Sequence, residues 1–132
     1  INNALTGIET ASLGIEIADT IILPLKAAAT MERRLGDGSD TTILDFISRA
    51  NRYTRQTGQA LSIEFDWRLD AFNRMIVYRR DPQVLKMHMP MPLRFIAPQS
   101  VNLEVKVLGM FRFAPVNIRR PVAVRYVSGV TV

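Results

Sequence analysis

The stretch LSIEFDWRLDAFNRMIVYRR, Leu61 to Arg80, decides how this chain is read. From Leu61 to Asp70 apolar and polar residues alternate without a break. Leu61, Ile63, Phe65, Trp67 and Leu69 stand against Ser62, Glu64, Asp66, Arg68 and Asp70. A period of two sustained over such a run predicts a strand with one wet face. Asp70 to Asn73 predicts a turn. Arg74–Arg80 then returns as a strand whose centre, Met75 to Tyr78, is apolar on both faces, as the interior of a sheet requires.

Outward towards the C-terminus, Pro82, Pro90, Pro92 and Pro98 break the chain. Val101–Val107 alternates again and predicts a further strand. Gly109 and Pro115 interrupt, and Val116–Ile118 and Val122–Val127 complete the set. Towards the N-terminus the period changes. Residues 2–13 predict a helix with Leu5 and Ile8 on one face and Gly14 as its stop. Thr20–Leu23 is a short β-branched run with the pattern of a buried strand. Pro24 stands where a first helical residue is favoured, and Leu25 to Leu35 is rich in helix formers. The loop Gly36-Asp37-Gly38-Ser39 ends that segment. A second helix starts near Thr42, where Thr42 and Asp45 have capping-box spacing, and it buries Ile43, Leu44, Phe46, Ile47 and Ala50. Helices early and strands late give one α+β domain over residues 1–132.

Composition narrows the function. The chain is long enough to bury a core, and 48% apolar residues exclude disorder. No apolar run approaches the ~18 residues of a membrane-spanning helix. The opening INNALTGIET has neither the basic start nor the apolar centre of a signal peptide, and its lack of an initiator Met is expected of a fragment or a processed product. With no cysteine there are no disulfides, iron–sulfur sites, thiol nucleophiles or Cys-based zinc sites. The net charge is +5, and 14 of the 17 cations are arginine. Arginine is weakly hydrated and presents a rigid fork of donors, which suits ion pairs, protein interfaces and phosphate contacts. After Asp81 the one carboxylate side chain is Glu104, against Lys86, Arg94, Lys106, Arg112, Arg119, Arg120 and Arg125.

Catalysis finds no foothold. His88, within Met87-His88-Met89, has no second histidine to share a metal, and reads as a packed or surface side chain. Glu64 and Asp66 share a strand face because alternation puts polar residues there. The Gly36–Asp40 loop fails the EF-hand pattern, since Thr42 stands where glycine is needed, and it lacks the Gly-Lys-Ser/Thr of a phosphate loop. Nucleophile-elbow and dinucleotide fingerprints are absent. The expectation is no enzyme, no cofactor and no metal. The candidate contact residues are Arg79, Arg80, Arg119 and Arg120, with Met87, Met89, Met91 and Arg94. Methionine adapts to irregular surfaces, and the arginines suit acids on a neighbouring subunit.

Several strings, in order, carry a resemblance. They are Asp19-Thr20-Ile21-Ile22-Leu23-Pro24, Thr41-Thr42-Ile43-Leu44-Asp45-Phe46, and Arg74-Met75-Ile76-Val77-Tyr78-Arg79-Arg80-Asp81-Pro82. After them come Pro90-Met91-Pro92, Ala97-Pro98-Gln99 and the ending Arg120 to Val130. Together they resemble the C-terminal part of a tailed-bacteriophage major capsid protein of the Hong Kong 97-type fold. The resemblance implies an α+β fold with a mixed, mostly antiparallel sheet flanked by two or three helices, that of the axial domain with adjoining peripheral-domain strands. In a departure from such proteins, the N-terminal arm, extended loop and spine helix that they carry are expected to be absent here. Arg112-Phe113-Ala114-Pro115-Val116 departs from the family pattern, and strand assignments are expected to fail there.

By the same resemblance the function is structural. The subunit would assemble with itself into hexameric and pentameric capsomers of an icosahedral shell. It would meet packaged double-stranded DNA by non-specific charge, and scaffold, portal or decoration proteins as further partners, with no membrane. Assembly would take place in the host bacterial cytoplasm, and the mature location would be the virion. Two other readings stand beside it: a basic nucleic-acid-binding module, and a bacterial nanocompartment shell protein of the same fold.

Overall fold

A computed structural model describes residues 1–130. Its centre is a four-stranded sheet of β1 (Thr20–Pro24), β2 (Ser62–Asp66), β3 (Arg74–Tyr78) and β10 (Val124–Ser128), in the order β10-β3-β1-β2. β1 and β2 run parallel, with Ile21 opposite Ile63 and Leu23 opposite Phe65. The other two pairings are antiparallel, with Val77 between Ile21 and Arg125. A parallel pair needs a long crossover. Here it is made of a 3-10 turn (Leu25–Ala27) and the helices α2 (Ala28–Met31), α3 (Ile43–Arg49) and α4 (Arg52–Thr57).

One face of the sheet carries Ile21, Leu23, Met75 and Val77, all buried. Helix α1 (Asn2–Ala11) lays Ala4, Leu5 and Ile8 on that core, and Ala18, Ala27 and Leu61 close it. Arg125 also lies on this side, and its guanidinium passes over Gly7, where a Cβ would fall 1.5 Å from Nη1. Only glycine on α1 leaves room for it in that position. The apolar spacing at positions 4, 5 and 8 is that of a helix face turned to a sheet.

Among the described residues, side-chain caps start two of the four α-helices. Thr42 accepts the Asp45 N–H at 3.1 Å and starts α3, as its spacing predicts. Asn51 accepts the Thr54 N–H at 2.9 Å and starts α4, a short polar helix that hydrophobic patterning does not reveal. Two expected elements end four residues early. The helix expected over Leu25–Leu35 stops at Met31, and Pro24 closes β1 instead of opening a helix. The strand expected over Leu61–Asp70 stops at Asp66. There the Asp66 carboxylate accepts the Arg68 N–H at 2.9 Å and winds Trp67–Leu69 into a 3-10 turn. The Asp70–Asn73 segment is a turn, as expected.

Between β3 and β10 the chain leaves the sheet as one long hairpin. Its paired segments are β4 (Leu85–Met87) with β9 (Val116–Ile118), β5 (Met91–Phe95) with β8 (Gly109–Arg112), and β6 (Gln99–Val101) with β7 (Glu104–Lys106). The expected strand Val101–Val107 is therefore two strands, reversed at Asn102-Leu103 with φ of 47° and 66°. Two residues at positive φ are the geometry of a type I′ hairpin turn. A bulge between Met91 and Arg94 takes up Pro92, which could not donate to the ladder. At Phe113-Ala114-Pro115 the strands do break, but the Ala114 N–H still donates to the His88 carbonyl at 2.8 Å, so the ribbon keeps its register.

The body of the molecule thus rests on the layer between α1 and the sheet. Ile21, fully buried there, is its most sensitive test. Ile21→Ala is expected to cost about 3 kcal/mol through lost burial and a residual cavity, read as a lowered denaturant midpoint with unchanged slope.

Candidate interaction surface: the arm and its root

The arm begins and ends at one buried carboxylate. Glu16 follows α1 on the linker into β1, and its side chain is 5% exposed. It accepts from Arg79 Nη1 at 2.8 Å and from Arg120 Nη1 through its other oxygen. Arg79 is the residue after β3, where the chain leaves the sheet. Arg120 is where it returns, just before the 3-10 turn Pro121–Ala123. One glutamate therefore holds both legs of the hairpin at their root. Its own backbone is fixed too, because the Glu16 N–H donates to Ser12 Oγ at 3.0 Å.

Neighbouring bonds reinforce the root. Arg79 also reaches Asp81 at 3.2 Å, and its N–H donates to the Ala123 carbonyl. Asp19 accepts the Arg80 N–H at 2.7 Å, and the Arg119 N–H donates to the Val84 carbonyl at 2.8 Å. The Arg120 guanidinium, aided by Arg79 and opposed by burial, holds the Glu16 carboxyl below its ordinary value of 4.5. The bond to Glu16 raises Arg79 in turn. Across the body, Arg52 holds Glu9 down in the same way. Among the described residues every buried side-chain polar atom has a partner.

Beyond the root the ribbon is exposed on both sides. Phe95 lies opposite Gly109, whose missing side chain leaves space for the Phe95 ring and for Leu93. Phe111 and Phe113 follow on the same side of β8 and stack with ring centroids 5.6 Å apart. Leu93, Phe95, Phe111 and Phe113 are all more than half exposed, so this face is an open apolar patch. The opposite face carries Met91, Arg94, Met110 and Arg112, paired across the strands. A two-stranded ribbon is marginal alone in water, and its open edges and apolar face gain most from a covering partner.

Charge is divided between body and arm. Residues 1–81 hold ten cations and eleven carboxylates, whereas residues 82–132 hold seven and one. Among the described residues, Lys86, Arg94, Lys106, Arg112 and Arg119 make no ion pair.

Each candidate contact residue has a definite place. Arg79 and Arg120 share Glu16 within the chain, and Arg80 pairs with Glu64 at 3.1 Å on the surface. Arg119 meets no acid at the root among the described residues. Met87 and Met89 are exposed near the base of the arm, Met91 is half-buried, and Arg94 stands exposed on the methionine–arginine face. The structure thus separates the members of each arginine pair. Sequence reasoning did not single out Glu16, although it is the one acid in the apolar run Leu13-Gly14-Ile15-Glu16-Ile17-Ala18. It also passed over the phenylalanines of the arm, whose exposure no alternation pattern reveals. His88 lies on the arm, its carbonyl serving the ribbon. Among the described residues no cluster of His, Asp or Glu is placed to hold a metal, and no helix is long and apolar enough to cross a membrane.

The model of the major capsid protein family matches residues 1–130, nearly the whole chain and the arm with it. The chain belongs to the major capsid protein family. Among solved structures it is similar to the capsid of Myoviridae phage XM1, with a TM-score of 0.73 at 17% identity over 96% of this chain and 43% of that one. It is also similar to the virus-like particle from Pyrococcus furiosus, with a TM-score of 0.65 at 17% identity over 96% of this chain and 48% of that one. No curated protein matches it in sequence. The chain spans less than half the length of these solved relatives, and at such identities they share its fold. The expected α+β class with a mixed sheet is the one found.

If Glu16 fixes the arm, Glu16→Gln should loosen the root more than the core. Amide exchange at 79–85 and 118–123 is expected to rise about tenfold or more, the equivalent of the roughly 1.5 kcal/mol of one charge-assisted hydrogen bond, while exchange at Ile21 and Val77 follows global unfolding. A depressed carboxyl contributes stability that is present above its unfolded value. Stability should therefore fall as pH drops below 4.5 and continue to fall through the lower folded value. Glu16→Gln should flatten that dependence in acid melts.

Proposed function

We propose that the chain is the shell-building part of a bacteriophage major capsid subunit, its axial domain with adjoining peripheral-domain strands of the Hong Kong 97-type fold. In this reading it assembles with further copies into hexameric and pentameric capsomers of an icosahedral shell. The observation that carries it is the arm: a ribbon with an apolar face and unpaired cations, within a family match that spans the chain. A subunit of a symmetric shell repeats each contact many times, so exposed surface that would be a liability in a monomer becomes interface.

The role is structural and not enzymatic. Its location is the virion, after assembly in the host cytoplasm. The excess of cations after Asp81 suits contact with a phosphate backbone without base reading, so double-stranded DNA is a second, non-specific partner. The candidate contacts of this reading are Arg80, Arg94, Arg119 and the methionines Met87, Met89 and Met91, with Arg79 and Arg120 acting through the arm they hold. Likeness to a virus-like particle favours one further reading, an encapsulating shell without a phage. Both share the assembly step.

The test is assembly of the subunit that carries this chain, followed by negative-stain electron microscopy and sedimentation velocity. Rings or closed shells are expected, and a protein that stays monomeric across concentration, pH and salt sinks the proposal. DNA retention, if present, should weaken steeply between low and physiological salt with no preference for sequence. Sequence-specific retention that survives high salt would favour the nucleic-acid module instead.

A further inference from the structure

A second surface lies beside the arm root, and its backbone is strained. Leu13 follows α1 with φ of 55° and is 90% exposed, and Ile15 is 71% exposed. A leucine held at positive φ with its side chain in water is costly twice, in backbone strain and in hydration. Together with Pro121 and Val122 these side chains line an open groove against the arm root. Arg120 at its edge is engaged by Glu16, whereas the Arg119 side chain meets no acid among the described residues.

The opposite end of the body carries the complementary chemistry. Residues 33–43 form a small finger, closed by the Ile43 N–H to the Arg33 carbonyl at 2.9 Å and the Leu35 N–H to the Thr41 carbonyl at 3.0 Å. Arg33 and Arg34 sit at its base. Its tip, Gly36 to Asp40, exposes Asp37 and Asp40, neither of which has a side-chain partner among the described residues, and Leu35 beside them is half exposed. From this finger α3 runs through Ser48 in its last turn, and the Ser48 carbonyl accepts the N–H of Leu61, the residue before β2. The finger therefore lies towards the far ends of β1 and β2, and the groove towards their starts. One copy cannot bring the two together.

We propose that the acid-tipped finger of one copy docks in the groove of the next, with Asp37 and Asp40 facing Arg119 and Leu35 seated on Leu13 and Ile15. Two different patches at opposite ends make a heterologous contact, which closes into a ring when the rotation between copies divides a full turn. Charge complementarity selects the occupant: the groove offers an unpaired arginine among apolar side chains, and the finger offers unpaired carboxylates next to a leucine. This inference rests on the capsid reading above and names the contact that would build its capsomer.

Charge reversal tests it in the assembling protein, with unchanged melting temperature as the check on folding. Arg119→Asp alone, and Asp37→Arg with Asp40→Arg, are each expected to weaken association at least tenfold by sedimentation velocity. All three together should restore it, since every copy then presents both reversed partners. Leu13→Gly should raise the melting temperature and still weaken association. Wild-type protein that assembles while the charge variants assemble equally well overturns this docking and leaves the capsid reading standing. Failure of the triple variant to recover overturns it too, as does a Leu13→Gly variant with full association. If Arg119→Asp abolishes DNA retention but not association, the groove takes nucleic acid and the docking is wrong. A wild type that never associates defeats both proposals.

Discussion

The placing of the arm depends on one carboxylate holding two arginines. The hairpin that leaves β3 at Arg79 and returns to β10 after Arg120 has no core of its own, so its direction must be set where it joins the body. Glu16 does this from a nearly dry position, accepting from both legs at once. A buried charge is costly unless fully paired, which makes the arrangement exacting: neither arginine can leave without exposing a desolvated carboxylate to a single partner. The linker from α1 is drawn into the same knot through Ser12 and Asp19. Helix, sheet and arm therefore meet at one polar junction, although the rest of the body is held by an apolar layer.

That junction divides the chain into two regimes. On the body side burial is conventional: α1 covers Ile21, Leu23, Met75 and Val77, and the charges nearly balance. On the arm side almost every residue from Lys86 to Val122 is exposed, and the cations outnumber the acids heavily. Backbone pairing alone gives a ribbon little stability. The stacked phenylalanines and the space at Gly109 give it local shape but leave the apolar face open. Such a ribbon is understandable as half of an interface.

Much of this fold was legible in the sequence because its signals are local. The alternation after Leu61 marks β2, the doubly apolar Met75–Tyr78 marks an interior strand, and Thr42 with Asp45 marks the start of α3. The failures share a cause: each depends on what a side chain does to the backbone. Asp66 caps the next turn and cuts a long alternation short. Asn51 starts a helix with no apolar stripe to announce it. Val101–Val107 reads as one strand because Asn102-Leu103 reverses the chain without a glycine, and the alternation passes through the turn undisturbed. The surroundings of the candidate contact residues were half legible for a similar reason. Arg79 and Arg80 look equivalent on paper, yet just past the end of β3 one turns to Glu16 and the other to Glu64.

Positive-φ leucines bring these threads together. Leu103 sits at the tip of the arm and Leu13 beside its root, and both point large apolar side chains into water from a conformation that leucine disfavours. Glycine or asparagine would relieve the strain at either place. In a chain selected for the stability of the monomer such residues have no advantage. In a chain selected for contacts, the same strain is the cost of aiming a side chain at a neighbour, and it is recovered when the neighbour covers it. The two positions frame the arm, one at each end. The arm is thus strained and apolar at its ends, charged along its length and locked at its root, and a single subunit satisfies only the last of these.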